Sequence, residues 1–164
     1  MTGKPVVAIS AGCPSGIGPQ VLTAALRDRR VRRALTPLVF GDASLRLPAS
    51  ELVAVSHLEP GERRPGSPSR AGGRAQLAYV EAAVEAVKRG EAQALCTAPV
   101  SKEQITRAGV RFMGHTELLA ERFGVPVLML LDGPRLKVAL ATNHLPLAEV
   151  PGALKTPRLV EQLV

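Results

Sequence analysis

Short apolar segments alternate with stretches of helical spacing along most of this chain, and Gly- and Pro-rich loops separate them. A strand that is apolar along its whole length must be covered on both faces, and helices are what cover it. The pattern predicts an α/β fold with a mostly parallel sheet and flanking helices. Residues 5–10 (PVVAIS) form the first expected strand, and a Gly/Pro loop follows. Val21, Leu22, Ala25 and Leu26 then share one helical face, with Pro19 suited to the first turn. Further short strands are expected at 38–41, 52–55 and 94–98.

The stretch 56–73 carries Pro60, Gly61, Pro65, Gly66, Pro68, Gly72 and Gly73 among Arg and Ser, and is expected to be a flexible surface loop. A helix should follow over about 75–89. Leu77, Val80, Val84 and Val87 would line one face, and Glu85 would pair with Arg89 on the other. Ser101 should cap a short helix. Residues 115–123 read as helical up to Gly124. Two apolar strands, 127–131 and 136–141, flank Asp132-Gly133-Pro134, which suits either a tight hairpin or a crossover. Residues 156–164 begin another helix.

Charge narrows the function classes. The chain has 164 residues and a formal charge of +7, mostly from arginine, which favours anionic partners. Nucleic acid is the obvious rival partner. With no Trp, one Tyr and three Phe, the chain has few rings to stack on bases, and it lacks zinc-finger spacing. The Arg-rich run 27–33 reads as a solvated helix end. Cys13 and Cys96 are far apart and in no paired-ligand spacing, against a disulfide framework or a Cys-based zinc site. No apolar stretch approaches membrane-span length or a secretory core, so neither a membrane nor export is expected, and the cytoplasm is the expected compartment.

Ligands collect beyond the carboxyl ends of parallel strands, and four short motifs are expected there. The first, Gly12-Cys13-Pro14-Ser15-Gly16-Ile17-Gly18-Pro19, joins a strand to a helix. It could offer amides to an anion. Its spacing matches neither the dinucleotide fingerprint nor a P-loop, and a tight turn opening a helix explains it more simply. Thr97-Ala98-Pro99-Val100-Ser101-Lys102 brings a lysine to the sheet edge, either to neutralise an anion or as a solvated helix-start residue. In Gly114-His115-Thr116-Glu117, an imidazole and a hydroxyl at a helix start could grip a phosphate or carboxylate, or Thr116 could be a cap with His115 on the surface. Thr142-Asn143-His144-Leu145-Pro146-Leu147 places an imidazole after a strand, where it could ligate a metal. One histidine cannot hold a metal alone, and a lone histidine is more often structural.

In order and approximate interval, these motifs resemble those of the 4-hydroxythreonine-4-phosphate dehydrogenase family of pyridoxal phosphate biosynthesis. The resemblance implies part of a two-domain fold related to isopropylmalate and isocitrate dehydrogenases. It also implies NAD-dependent oxidation of 4-phosphohydroxy-L-threonine followed by loss of CO2. A divalent metal (Zn, Mg or Co) would polarise the substrate hydroxyl and then the ketone. His115 and Thr116 map to substrate contacts, and His144 to one of three metal-ligating histidines. No catalytic residue is assigned. Full-length members are homodimers with active sites between subunits. Residues 1–164 would be the N-terminal portion, with the C-terminal half absent and the activity incomplete. Cys13 stands where the family pattern has an acid, and the stretch between Leu47 and Gln76 is short. Two alternatives stand beside this reading: a phosphorylated-ligand-binding remnant without turnover, and a paralogue acting on phosphorylated sugar acids such as phosphothreonate or phosphoerythronate.

Overall fold

The computed structural model describes residues 3–48 and 50–163, in two compact units, Met1–Gly114 and His115–Val164. In the first unit, β1 (Val6–Ser10) leads into α1 (Gly18–Arg27) and α2 (Arg29–Ala34). Next come β2 (Thr36–Asp42), β3 (Glu51–Ser56), α3 (Arg70–Lys88), β4 (Ala94–Thr97) and α4 (Lys102–Arg107). The four strands pair in the order β3-β2-β1-β4, all parallel. The parallel sheet expected from the alternation is therefore present.

Burial follows from the order of the strands. In central β1, consecutive Ala8, Ile9 and Ser10 are all buried, as are Val39 and Phe40 in β2, so both faces of the sheet are covered. The β1-to-β2 and β3-to-β4 connections run in opposite directions along the sheet. Right-handed crossovers therefore put α1 and α3 on opposite faces. Leu22 and Leu26 of α1 join the core, as do Ala75, Tyr79, Ala83 and Ala86 of α3. With so few aromatics, small side chains let α3 lie close to the strands.

Several boundaries differ from the sequence reading, each for a local reason. Ser56 closes β3, and α3 begins at Arg70, so both ends of the 56–73 stretch belong to regular elements. The Ser69 hydroxyl accepts from Gly72 N–H at 2.9 Å and caps the helix. Gly72 and Gly73 therefore lie in a first turn instead of breaking one. A Cβ on Gly73 would collide with the Gln104 carbonyl, so this glycine permits the contact between α3 and α4. The intervening loop folds back on the first motif, with Gly66 N–H donating to Ser15 O at 2.9 Å. At the other end of α3 the expected Glu85–Arg89 pair is replaced. The helix stops at Lys88, so Arg89 turns to Glu91 at 2.7 Å, and Glu85 takes Lys88 at 3.2 Å.

The second unit holds α5 (His115–Phe123), β5 (Met129–Asp132), β6 (Lys137–Leu140), α6 (Val150–Ala153) and α7 (Thr156–Leu163), with a 3-10 turn at Leu147–Glu149. Gly124, at φ 67°, ends α5. β5 and β6 pair antiparallel, Met129 opposite Leu140 and Asp132 opposite Lys137, so Asp132-Gly133-Pro134 makes the hairpin and not the crossover. This two-stranded sheet is separate from the parallel one. The expectation that all the motifs follow parallel strands is corrected here, because His144 follows an antiparallel strand. Among the described residues no helix is long and apolar enough to cross a membrane.

Candidate functional site

The carboxyl edge of the parallel sheet is built from the loops after β1 and β4. These loops cross at backbone distance, with Cys13 N–H donating to Pro99 O at 2.8 Å. Gly12 has φ 74°, and a Cβ there would lie 2.5 Å from Pro99 O. The glycine thus serves both a left-handed turn and a close approach. The amides of Cys13 and Gly16 are spent within the protein, Gly16 N–H on Cys13 O at 3.1 Å. The tight-turn reading of this motif accounts for its geometry, and Pro19 stands in the first turn of α1.

Side chains weld these loops to the helices. Gln76 of α3 is fully buried. Its Oε1 accepts from Ser101 N–H at 2.6 Å, and its Nε2 donates to Gly72 O at 3.2 Å. Ser101 caps α4, its hydroxyl accepting from Gln104 N–H at 3.3 Å. The Gln104 amide nitrogen faces Cys13 Sγ and Ser15 Oγ, each at 3.3 Å. The cap was legible in the sequence. Gln76 and Gln104 were not, because nothing in their spacing separates a buried amide from a solvated one. Lys102, the candidate anion partner, donates to Met113 O at 2.6 Å from an exposed position.

A second network missed by the sequence reading closes the β2 edge. The β2–β3 register shifts between Gly41 and Asp42, bringing Asp42 opposite Ser56. The buried Asp42 carboxylate accepts from Ser44 N–H at 2.9 Å, Leu58 N–H at 2.7 Å, Ser56 Oγ at 2.8 Å and Ser44 Oγ. Since Ser56 gives its proton to Asp42, the Tyr79 hydroxyl donates to Ser56 Oγ at 2.6 Å. Burial acts to raise the Asp42 pKa. The hydrogen bonds from Ser44, Leu58 and Ser56 outweigh it and hold the carboxyl below its ordinary value. Burial pushes the Tyr79 phenol up to about 12.

His115, Thr116 and His144 all belong to the second unit. His115 and Thr116 are the first two residues of α5 and are partly buried, with Glu117 in the same turn. Amides at such a helix start favour an anion. His144 is exposed in the loop after β6 and, at φ 57°, is the one non-glycine residue with positive φ among those described. Left-handed backbone of this kind clusters at functional positions. Among the described residues no three His, Cys, Asp or Glu side chains gather as a metal set. The described residues by themselves do not make a complete metal centre.

Residues 21–164 match the family model described as pyridoxal phosphate biosynthetic protein PdxA. A 4-hydroxythreonine-4-phosphate dehydrogenase of Aromatoleum aromaticum is 42% identical over 181 residues, covering 99% of this chain and 54% of the relative. Its counterpart in Trichlorobacter lovleyi is 36% identical over 189 residues, covering 99% and 56%. Among solved structures, a 4-hydroxythreonine-4-phosphate dehydrogenase from Burkholderia phymatum superposes with a TM-score of 0.85 at 27% identity, covering 99% of this chain and 57% of that one. The chain spans about half the length of the curated relatives it matches.

Proposed function

Because this chain belongs to the family of the pyridoxal phosphate biosynthetic protein PdxA, we propose that it serves the NAD-dependent oxidation and decarboxylation of 4-phosphohydroxy-L-threonine. The observation that carries this reading is likeness along 99% of the chain to relatives named for that substrate, with Gly114-His115-Thr116-Glu117 present in full. In this proposal His115 and Thr116 bind and orient the substrate. Their place at the start of α5 supports that role, since a helix N-terminus favours a phosphate or carboxylate. His144 offers one imidazole to a divalent cation, whose other donors come from the remainder of the family fold.

The working protein is proposed to be a cytoplasmic homodimer. Met129, Leu130 and Leu131 are consecutive on β5, so they occupy both faces of the hairpin, and all three are exposed. Apolar surface of that kind is normally covered.

A second reading applies to these 164 residues by themselves: binding of a phosphorylated ligand without turnover. It is favoured by the lack of a three-donor metal set among the described residues. One experiment separates the two. The chain alone, and the chain fused to the remaining portion of the Aromatoleum aromaticum relative, are assayed for NADH formation from 4-phosphohydroxythreonine with added divalent metal. The fusion is expected to be active and to lose activity with His144→Ala, while the chain alone makes no NADH. A folded but inactive fusion would refute the dehydrogenase reading.

A further inference from the structure

A cavity of about 420 Å³ in the first unit is lined by Pro68, Ser69, Arg70, Gln104 and Arg107. Its volume falls in the range of small-ligand pockets. None of these residues belongs to the substrate or metal set proposed above. We propose that this cavity binds the phosphate group of a small molecule between the guanidinium groups of Arg70 and Arg107.

The argument begins with charge. Two arginines line the cavity from different helices, Arg70 from the start of α3 and Arg107 from the end of α4. Arg70 has no ion-pair partner among the described residues. Arg107 is held only by Glu103, at 2.6 Å, with the two side chains 66% and 70% exposed. Such a solvated pair is weak and exchanges readily for a better acceptor. One carboxylate therefore stands against two guanidinium groups, which leaves the cavity positive. The placement of Arg70 is also unfavourable for α3 itself. The first turn of this 19-residue helix has no acid, so Arg70 places a cation at its positive pole. A bound dianion would reverse the sign of that interaction.

The remaining lining explains the shape and the selectivity. Ser69 Oγ is committed to Glu62 O and Gly72 N–H, and Gln104 is tied to Ser15 and Cys13. These groups hold the wall and leave recognition to the arginines. A guanidinium presents paired N–H donors that match phosphate oxygens, and two of them suit a dianion better than a single carboxylate. The volume exceeds that of a phosphate ion alone, so a phosphorylated organic molecule has room beyond the anion.

The test is a calorimetric titration of the full chain with inorganic phosphate and with glycerol 3-phosphate, at constant ionic strength set with chloride. One saturable site is expected. Arg70→Gln and Arg107→Gln should each weaken it by about tenfold, the loss of a charge-assisted bidentate contact. Glu103→Gln frees Arg107 and should tighten binding by about threefold. Arg33→Gln, exposed on α2, should change nothing. Equal binding of the two ligands identifies free phosphate, and tighter binding of glycerol 3-phosphate identifies a phosphorylated metabolite; either supports the site. No saturable binding, unchanged affinity in the Arg70 and Arg107 variants, or an equal loss with Arg33→Gln would overturn it. All four substituted side chains are exposed, and matched thermal melts confirm that each variant is folded.

Discussion

Replacing Asp42 by Ala should be the most damaging single polar substitution in the first unit. Its carboxylate accepts two backbone N–H groups, from Ser44 at 2.9 Å and Leu58 at 2.7 Å, and two serine hydroxyls. The hydroxyls can rotate toward other acceptors, but the two amides cannot. Leaving them unpaired at a position only 3% exposed costs roughly 1–3 kcal/mol each, so the expected loss is about 4 kcal/mol. Tyr79 is the only tyrosine, there is no tryptophan, and its hydroxyl joins this network through Ser56. Tyrosine fluorescence during urea unfolding therefore reports on the first unit. Asp42→Asn should cost about 2 kcal/mol, because its amide group turns donors toward donors. The effect should depend on pH with a definite sign. The folded pKa is depressed, so the stabilisation is present above the ordinary carboxylate value and is lost as pH falls through the folded one. The gap between the parent and Asp42→Asn should thus narrow in acid. A loss under about 0.5 kcal/mol for Asp42→Ala at pH 7, or a gap that widens in acid, would mean that the carboxylate does not hold these amides as described.

The alkaline limb should come from Tyr79. Its pKa is raised to about 12, so the neutral phenol's contribution is intact below the unfolded value near about 10. That contribution, at most about 2–3 kcal/mol, is lost between the two values as pH rises, and Tyr79→Phe should flatten this loss in urea titrations. Gly73→Ala drives a methyl into the Gln104 carbonyl and should lower first-unit stability by about 1–3 kcal/mol in the same assay. His144→Gly should relieve the left-handed backbone strain and raise second-unit stability by about 1 kcal/mol, read by hydrogen exchange, while abolishing dehydrogenase activity in the fusion.

Regular structure was legible wherever it rested on periodicity. The PVVAIS strand, the α3 face through Val80 and Val84, and the Ser101 cap all stand where spacing and capping chemistry put them. The start of α3 was hidden because Gly72 and Gly73 read as breakers. What calls for a glycine at position 73 is the Gln104 backbone, far away in sequence. The Arg89 pair was misplaced because the reading carried the helix one residue past Lys88. The Asp42 network could not be read at all. It depends on a register shift that sets Asp42 against Ser56 and on Leu58 N–H in a loop, and neither leaves a periodic trace. In the second unit, His115, Thr116 and His144 are picked out by their motifs; in the first, the contacts of Gln76 and Gln104 leave no trace in the spacing.

The proposed function makes His144 one donor of a metal centre and puts His115 and Thr116 on the substrate. A crystal structure of the fusion grown with Co2+ and 4-phosphohydroxythreonine tests this directly. The imidazole of His144 is predicted at about 2.1 Å from the metal, with His115 and Thr116 in hydrogen-bond contact with the substrate. A metal bound without His144, or a substrate seated away from the start of α5, would contradict it.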